Sequence, residues 1–161
     1  MNANITLAQE WIAQADAILI GASNGLSIAE GYHIFANNEM FRRQFGDLHL
    51  EKSGFDEKRI FEIEGVMTDL FAAPAPKKKT LFHHFLTKYS GKKLVILELG
   101  IGSRNRLIKL PIMQLAYREP NAKYITLNMP QELYIPEEIA EKSVGIAGDI
   151  AQSLKELNTN D

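Results

Sequence analysis

The chain has 161 residues, 45% of them hydrophobic and 24% charged, which is enough to build one compact domain with a sizeable core. Its formal net charge is −2 with both signs interspersed, so it lacks the field needed to grip a nucleic-acid backbone. It has no cysteine, which removes disulfides, thiolate zinc sites and a thiol nucleophile together.

The opening MNANITLAQEWIAQAD has no basic start followed by an apolar stretch, and no apolar run approaches the ~18 residues of a membrane span. The expectation is a cytoplasmic chain without signal peptide or membrane span. Leu7, Trp11, Ile12 and Ala15 recur at helical spacing, and residues 17–20 form a continuous apolar run suited to a strand covered on both faces. Residues 25–31 and 37–45 read as helices, 59–63 as a strand, and 80–89 as a helix stopped by Gly91. The series continues with a strand at 94–97, a helix at 107–117 and a strand at 124–127. A short helix at 136–141, a strand at 143–146 and a helix at 149–157 complete it. Strands alternating with helices predict a parallel, right-handed α/β sandwich of three layers, Rossmann-like, whose ligands gather beyond the carboxyl ends of the strands.

Three strand ends have unusual content. The first is GASNGLS at 21–27, where small residues let a phosphate approach backbone N–H groups. A tight strand-to-helix turn accounts for Gly21 and Gly25 equally well, and Ser23 stands where a middle glycine would be expected. The second is ELGIGSRN at 98–105, a second glycine-rich loop directly after a strand. Arg104 within it has two readings, a cation for a phosphate and an ordinary surface residue. The third is Asn128, a strand-end amide able to bind a ribose hydroxyl or simply to cap a turn.

The order GASNGLS, FEIEG, ELGIGSRN, ITLN, GDI resembles the Sir2 (sirtuin) family, and most its bacterial branch, which includes protein ADP-ribosyltransferases. The resemblance implies an NAD-binding fold. It implies NAD pyrophosphate and ribose contacts from Gly21, Ala22, Ser23, Gly25, Leu26 and Ser27, and a second phosphate and ribose loop from Gly100, Gly102, Ser103 and Asn105. It makes Asn128 the adenosine-ribose contact and Gly148 and Asp149 the turn bordering the adenine.

The centre of the chain departs from that pattern. The family's Thr-x-Asn-x-Asp stretch, its His-Gly pair and its four-cysteine zinc module are not intact. Asp47 is compatible with the last residue of a lost Thr-x-Asn-x-Asp, and equally with a deletion junction near residues 46–48. Glu64-Gly65 occupies the His-Gly position. VMTDLFAAPAPKKK reads as a connection, about residues 66–79, where the zinc module would stand, so no zinc is expected.

A deacylase of this family needs a base, and none of His33, His49, His83 and His84 is followed by glycine. Transfer of ADP-ribose to a protein nucleophile asks less of a base, and a carboxylate near C1′ would stabilise positive charge developing on the ribose. Glu64 is therefore the candidate catalytic residue. Its other reading is a surface glutamate alternating with Glu62 in an ordinary strand. Lys77, Lys78 and Lys79 read as a solvated connector and Arg42 and Arg43 as a helix face. Trp11, Phe61, Phe71, Phe82 and Phe85 read as core packing.

The expected whole is a single domain over residues 1–161, Sir2-like, binding NAD or a related adenine nucleotide with weak, altered or no catalysis. Two alternatives stand beside it: an NAD-dependent protein ADP-ribosyltransferase, with a deacylase behind it, and an interaction protein that keeps only the fold. A protein substrate belongs to the enzyme reading. Loss of a small domain would uncover apolar surface near the cleft, which a homodimer would bury.

Overall fold

The computed structural model describes residues 2–22, 60–61 and 76–158. Helix α1 (Ala3–Gln14) opens with Asn2, whose side chain accepts from the Asn4 amide at 3.1 Å and so satisfies one of the free N–H groups of the first turn. Strand β1 (Ala17–Ala22) follows at once, then β2 (Ile60–Phe61), helix α2 (Pro76–Tyr89) and strand β3 (Leu94–Leu99). Helix α3 (Arg106–Arg118), strand β4 (Lys123–Asn128), 3₁₀ turns at Pro130–Glu132 and Glu137–Lys142, strand β5 (Ser143–Ala147) and helix α4 (Ile150–Asn158) complete the described chain.

The five strands form one sheet in the order β2-β1-β3-β4-β5, every pair parallel. Helices cover both faces, which makes the three-layer α/β architecture that the alternating pattern predicts. Because side chains alternate along a strand, each central strand supplies two cores. Ile18, Val95, Leu97, Leu99, Ile125 and Leu127 meet Ile5 and Ala8 of α1 and Ile150 and Leu157 of α4. Leu19, Leu94, Ile96 and Tyr124 face the other way, onto Phe85 of α2 and Ile112, Met113 and Ala116 of α3. Burial on both faces explains why β3 reads as a nearly continuous apolar run.

The differences from the sequence reading have physical causes. Strand β1 runs through Gly21 and Ala22, the first two residues assigned to a loop, because their backbones continue the ladder opposite Glu98 and Leu99. Likewise Glu98 and Leu99 end β3 rather than begin the loop. Helix α2 starts at Pro76, so Lys77, Lys78 and Lys79 lie in its first turn and not in a connector; proline's fixed φ and missing N–H suit the first helical position. On α1 the most buried residues are Ile5 and Ala8, while Leu7 is 37% exposed. Phe85 is buried, and Phe82 and Trp11 are partly buried against the two cores, as packing residues should be. The expected helices at 25–31 and 37–45, the 66–75 part of the connection, and Phe71 fall outside the described residues.

Gly21 sits where α3 crosses β1. A Cβ built there would lie 3.1 Å from Cδ1 of Ile112, 3.4 Å from Cδ1 of Ile101 and 3.6 Å from Cγ2 of Ile108. Gly21→Val should therefore overpack this contact and lower stability by about 1–3 kcal/mol in urea denaturation. An unchanged midpoint would mean that α3 does not rest on β1 as closely as these distances require.

Candidate functional site

In the strand order β2-β1-β3-β4-β5 the chain leaves β1 towards β2 on one side, whereas β3 continues through α3 to β4 on the other. The sheet therefore has its topological switch point between β1 and β3, the place where ligands enter open parallel sheets. Ala22 and Leu99, the last residues of the two strands, are register partners. Strands β1 and β3 thus end side by side at this edge.

After Leu99 the chain turns on Gly100, whose φ of 61° lies in the left-handed region that favours glycine. The Gly100 amide donates to the Leu127 carbonyl at 2.9 Å, and Ile101 drops its side chain into the core under α3. The Ile101 carbonyl accepts from two side chains, Lys109 Nζ at 2.9 Å and Asn128 Nδ2 at 3.1 Å. Lys109 also donates to Glu98 Oε1 at 2.9 Å, and that pair is almost fully buried. Thr126 Oγ1 donates to the same carboxylate oxygen at 3.1 Å, and the Tyr124 hydroxyl donates to Oε2. Every polar atom of this cluster is hydrogen-bonded, which is what lets a carboxylate sit inside a sheet. Burial, and then the Glu98 charge and hydrogen bond, push the Tyr124 hydroxyl far above the ordinary tyrosine range.

Beyond Ile101 the turn lies at the surface. Ser103 and Arg104 are exposed, Gly102 and Asn105 partly so, and Asn105 precedes the first residue of α3. The Ser103 amide donates to Oε2 of Glu132 at 2.9 Å, from the 3₁₀ turn after β4. That backbone hydrogen bond is the main reason the Glu132 carboxyl is held below its usual range. A side-chain bond from Ser103 and the charges of Lys109 and Arg104 act in the same direction. A Cβ on Gly102 would lie 3.4 Å from the same oxygen, so the missing side chain leaves the carboxylate room. The turn therefore has a backbone donor able to hold an anionic oxygen, the property a phosphate needs. A depression of about 370 Å³ beside it is lined by Ser103, Arg106, Lys109, Leu110, Met113 and Tyr134.

The residues expected from sequence fall into three groups. Gly100, Gly102, Ser103 and Asn105 come together in the turn, and Asn128 reaches it from β4. Asn128 has both ends of its amide engaged, Nδ2 on Ile101 and Oδ1 accepting from the Met129 amide at 3.0 Å. Gly148 donates its amide to the Asn128 carbonyl at 3.0 Å, and Asp149 caps α4 by accepting from the Gln152 amide at 2.8 Å. Those four contacts hold the carboxyl edge together. Gly21 and Ala22 lie at the end of β1, but the space freed by the Gly21 side chain is filled by isoleucines. Ser23, Gly25, Leu26, Ser27, Asp47, Glu64, His33 and His49 lie outside the described residues. His83 and His84 are exposed on α2.

Sequence reasoning missed Glu98, Lys109, Tyr124, Thr126 and Glu132. A signal existed for Lys109, which stands three and four residues before Ile112 and Met113, on the apolar stripe of α3. Nothing local announces Glu132, since its partner is 29 residues away.

No family model matches the chain. Over 44 residues it is 46% identical to a "Probable bifunctional ADP-ribose hydrolase/ADP-ribosyltransferase" of Fusarium oxysporum f. sp. cubense. The matched stretch makes up 26% of this chain and 7% of that relative, so the chain spans only a small part of the protein it resembles. Among the described residues no helix is long and apolar enough to cross a membrane.

Lys109→Met should leave Glu98 buried without its cation and lower stability by about 3–5 kcal/mol. Adding Glu98→Gln to it should recover a substantial part of that loss, and strictly additive effects in urea unfolding would show the two groups to be uncoupled. Tyr124 gives a pH expectation. Its folded value is raised above the unfolded value of about 10, so its stabilising contribution is complete below about pH 10 and is lost as the pH climbs further. Tyr124 should ionise only on alkaline unfolding when phenolate absorbance is followed, and Tyr124→Phe should remove that part of the signal.

Proposed function

We propose that this chain is a nucleotide-binding domain of ADP-ribose chemistry, resembling a sirtuin, that takes NAD or a related adenine nucleotide at the carboxyl edge of its sheet. The observation that carries the reading is the switch point between β1 and β3, flanked by two glycine-rich segments whose starting residues are register partners. The 44-residue similarity to a protein named for ADP-ribose hydrolysis and ADP-ribosyl transfer supports the same ligand class. In this reading the turn at 100–105 receives a phosphate on the Ser103 amide, and Asn128 and Asp149 serve through the backbone they hold in place. Gly21, Ala22, Ser23, Gly25, Leu26 and Ser27 are proposed for the other side of the diphosphate.

NAD, when bound, supplies an ADP-ribosyl group joined to a good leaving group. The name of the fungal relative favours ADP-ribosyl transfer as a second reading, with Glu64 as the carboxylate near the reacting carbon. The chain departs from the sirtuin pattern where that chemistry would take place, so binding with weak or altered catalysis is preferred to it.

Calorimetric titration should give heat with NAD or ADP-ribose, and Gly102→Asp, which adds a carboxylate at the turn, should weaken binding at least about tenfold with its melting temperature preserved. Silence from both ligands that persists once the Glu132 carboxylate is removed would overturn the reading. Incubation with NAD and candidate proteins followed by mass spectrometry separates the second reading, because a label that persists in Glu64→Gln removes that residue from the reaction.

A further inference from the structure

We infer that Glu132 is a built-in competitor for the nucleotide, its carboxylate holding the backbone amide of Ser103 that a phosphate of the ligand must take; this rests on the nucleotide reading above.

The geometry is that of an anion already in place. Oε2 of Glu132 accepts from the Ser103 amide at 2.9 Å, a charge-assisted bond of ordinary length to a backbone donor of the turn that follows β3. The same oxygen comes within 3.4 Å of where a Gly102 side chain would begin, so the carboxylate lies against the bare backbone of the turn. The approach is therefore accommodated by the turn itself. Glu132 is carried by the short 3₁₀ turn Pro130–Glu132, held by the Glu132 and Leu133 amides on the Met129 carbonyl. None of these bonds uses the carboxylate, so the side chain can swing away without unfolding its support. The buried cluster behaves differently. Lys109 is committed to Glu98 and to the Ile101 carbonyl, so its ammonium does not bond the Glu132 carboxylate, whose hydrogen bond goes to the Ser103 amide.

Two anions cannot share one donor at hydrogen-bond distance. A phosphate arriving at Ser103 must displace the carboxylate and then tolerate its charge nearby. Binding is weakened by the loss of one charge-assisted hydrogen bond and by repulsion between like charges.

The test compares wild type, Glu132→Gln and Glu132→Ala by calorimetric titration with ADP-ribose and, separately, with inorganic pyrophosphate. Both variants are expected to bind ADP-ribose about tenfold more tightly than wild type or better, and thermal melts should confirm that they remain folded. In ligand-free ¹⁵N spectra the Ser103 amide should shift in both variants, and in wild type it should shift again on saturation with ADP-ribose. Wild-type binding that is unchanged or weakened in the variants overturns the competitor and leaves the nucleotide reading standing. No binding by any of the three proteins overturns both. Binding by the variants alone supports the competitor in its strongest form.

Discussion

The carboxyl edge of this sheet depends on one buried carboxylate. Glu98 sits in the middle strand with no exposure to solvent, and it is tolerable there only because Lys109, Tyr124 and Thr126 all donate to it. These donors come from α3 and from β4, so a single group fixes the helix and two strands relative to each other. Lys109 passes the constraint on by donating to the Ile101 carbonyl, which Asn128 also grips. The turn at 100–105 is therefore anchored from below by charge and from the side by an amide. A well-packed apolar replacement could match its stability, but would offer no donor for the Ile101 carbonyl.

From this anchor the turn acquires two faces. Its inner face is apolar, with Ile101 inserted beside Ile108 and Ile112 against the bare backbone of Gly21. Its outer face presents the Ser103 amide and the exposed Arg104. The glycines of this edge thus do different jobs. Gly21 makes room for a helix, Gly100 supplies a backbone conformation, and Gly102 leaves space for an oxygen. Small residues near a strand end do not by themselves distinguish a ligand site from a close helix contact, and Gly21 serves the helix contact.

The elements were legible because the signals behind them are local. Alternating element types predicted the parallel α/β sheet, and Gly91, with φ 72°, ends α2 as a helix-stopping glycine does. Strand ends were drawn short at Gly21, Ala22, Glu98 and Leu99, because glycine and a charge look like loop residues until the neighbouring strand is known. The connector reading extended too far at Lys77, Lys78 and Lys79, since three lysines after a proline suit the start of a helix as well as they suit a linker. The proposed ligand class rests on the 44-residue similarity, and the positions proposed for it on the sirtuin resemblance.

Sequence by itself determined the class of fold and, among the described residues, the order of strands and helices, because periodicity and glycine placement are written within a few consecutive residues. Tertiary structure alone decided that Glu98 is an internal counter-ion, that the space at Gly21 belongs to isoleucines, and that Glu132 holds the Ser103 amide. Each of these joins residues that are far apart along the chain, and the energy of a buried charge or an occupied donor depends on partners that no local pattern names.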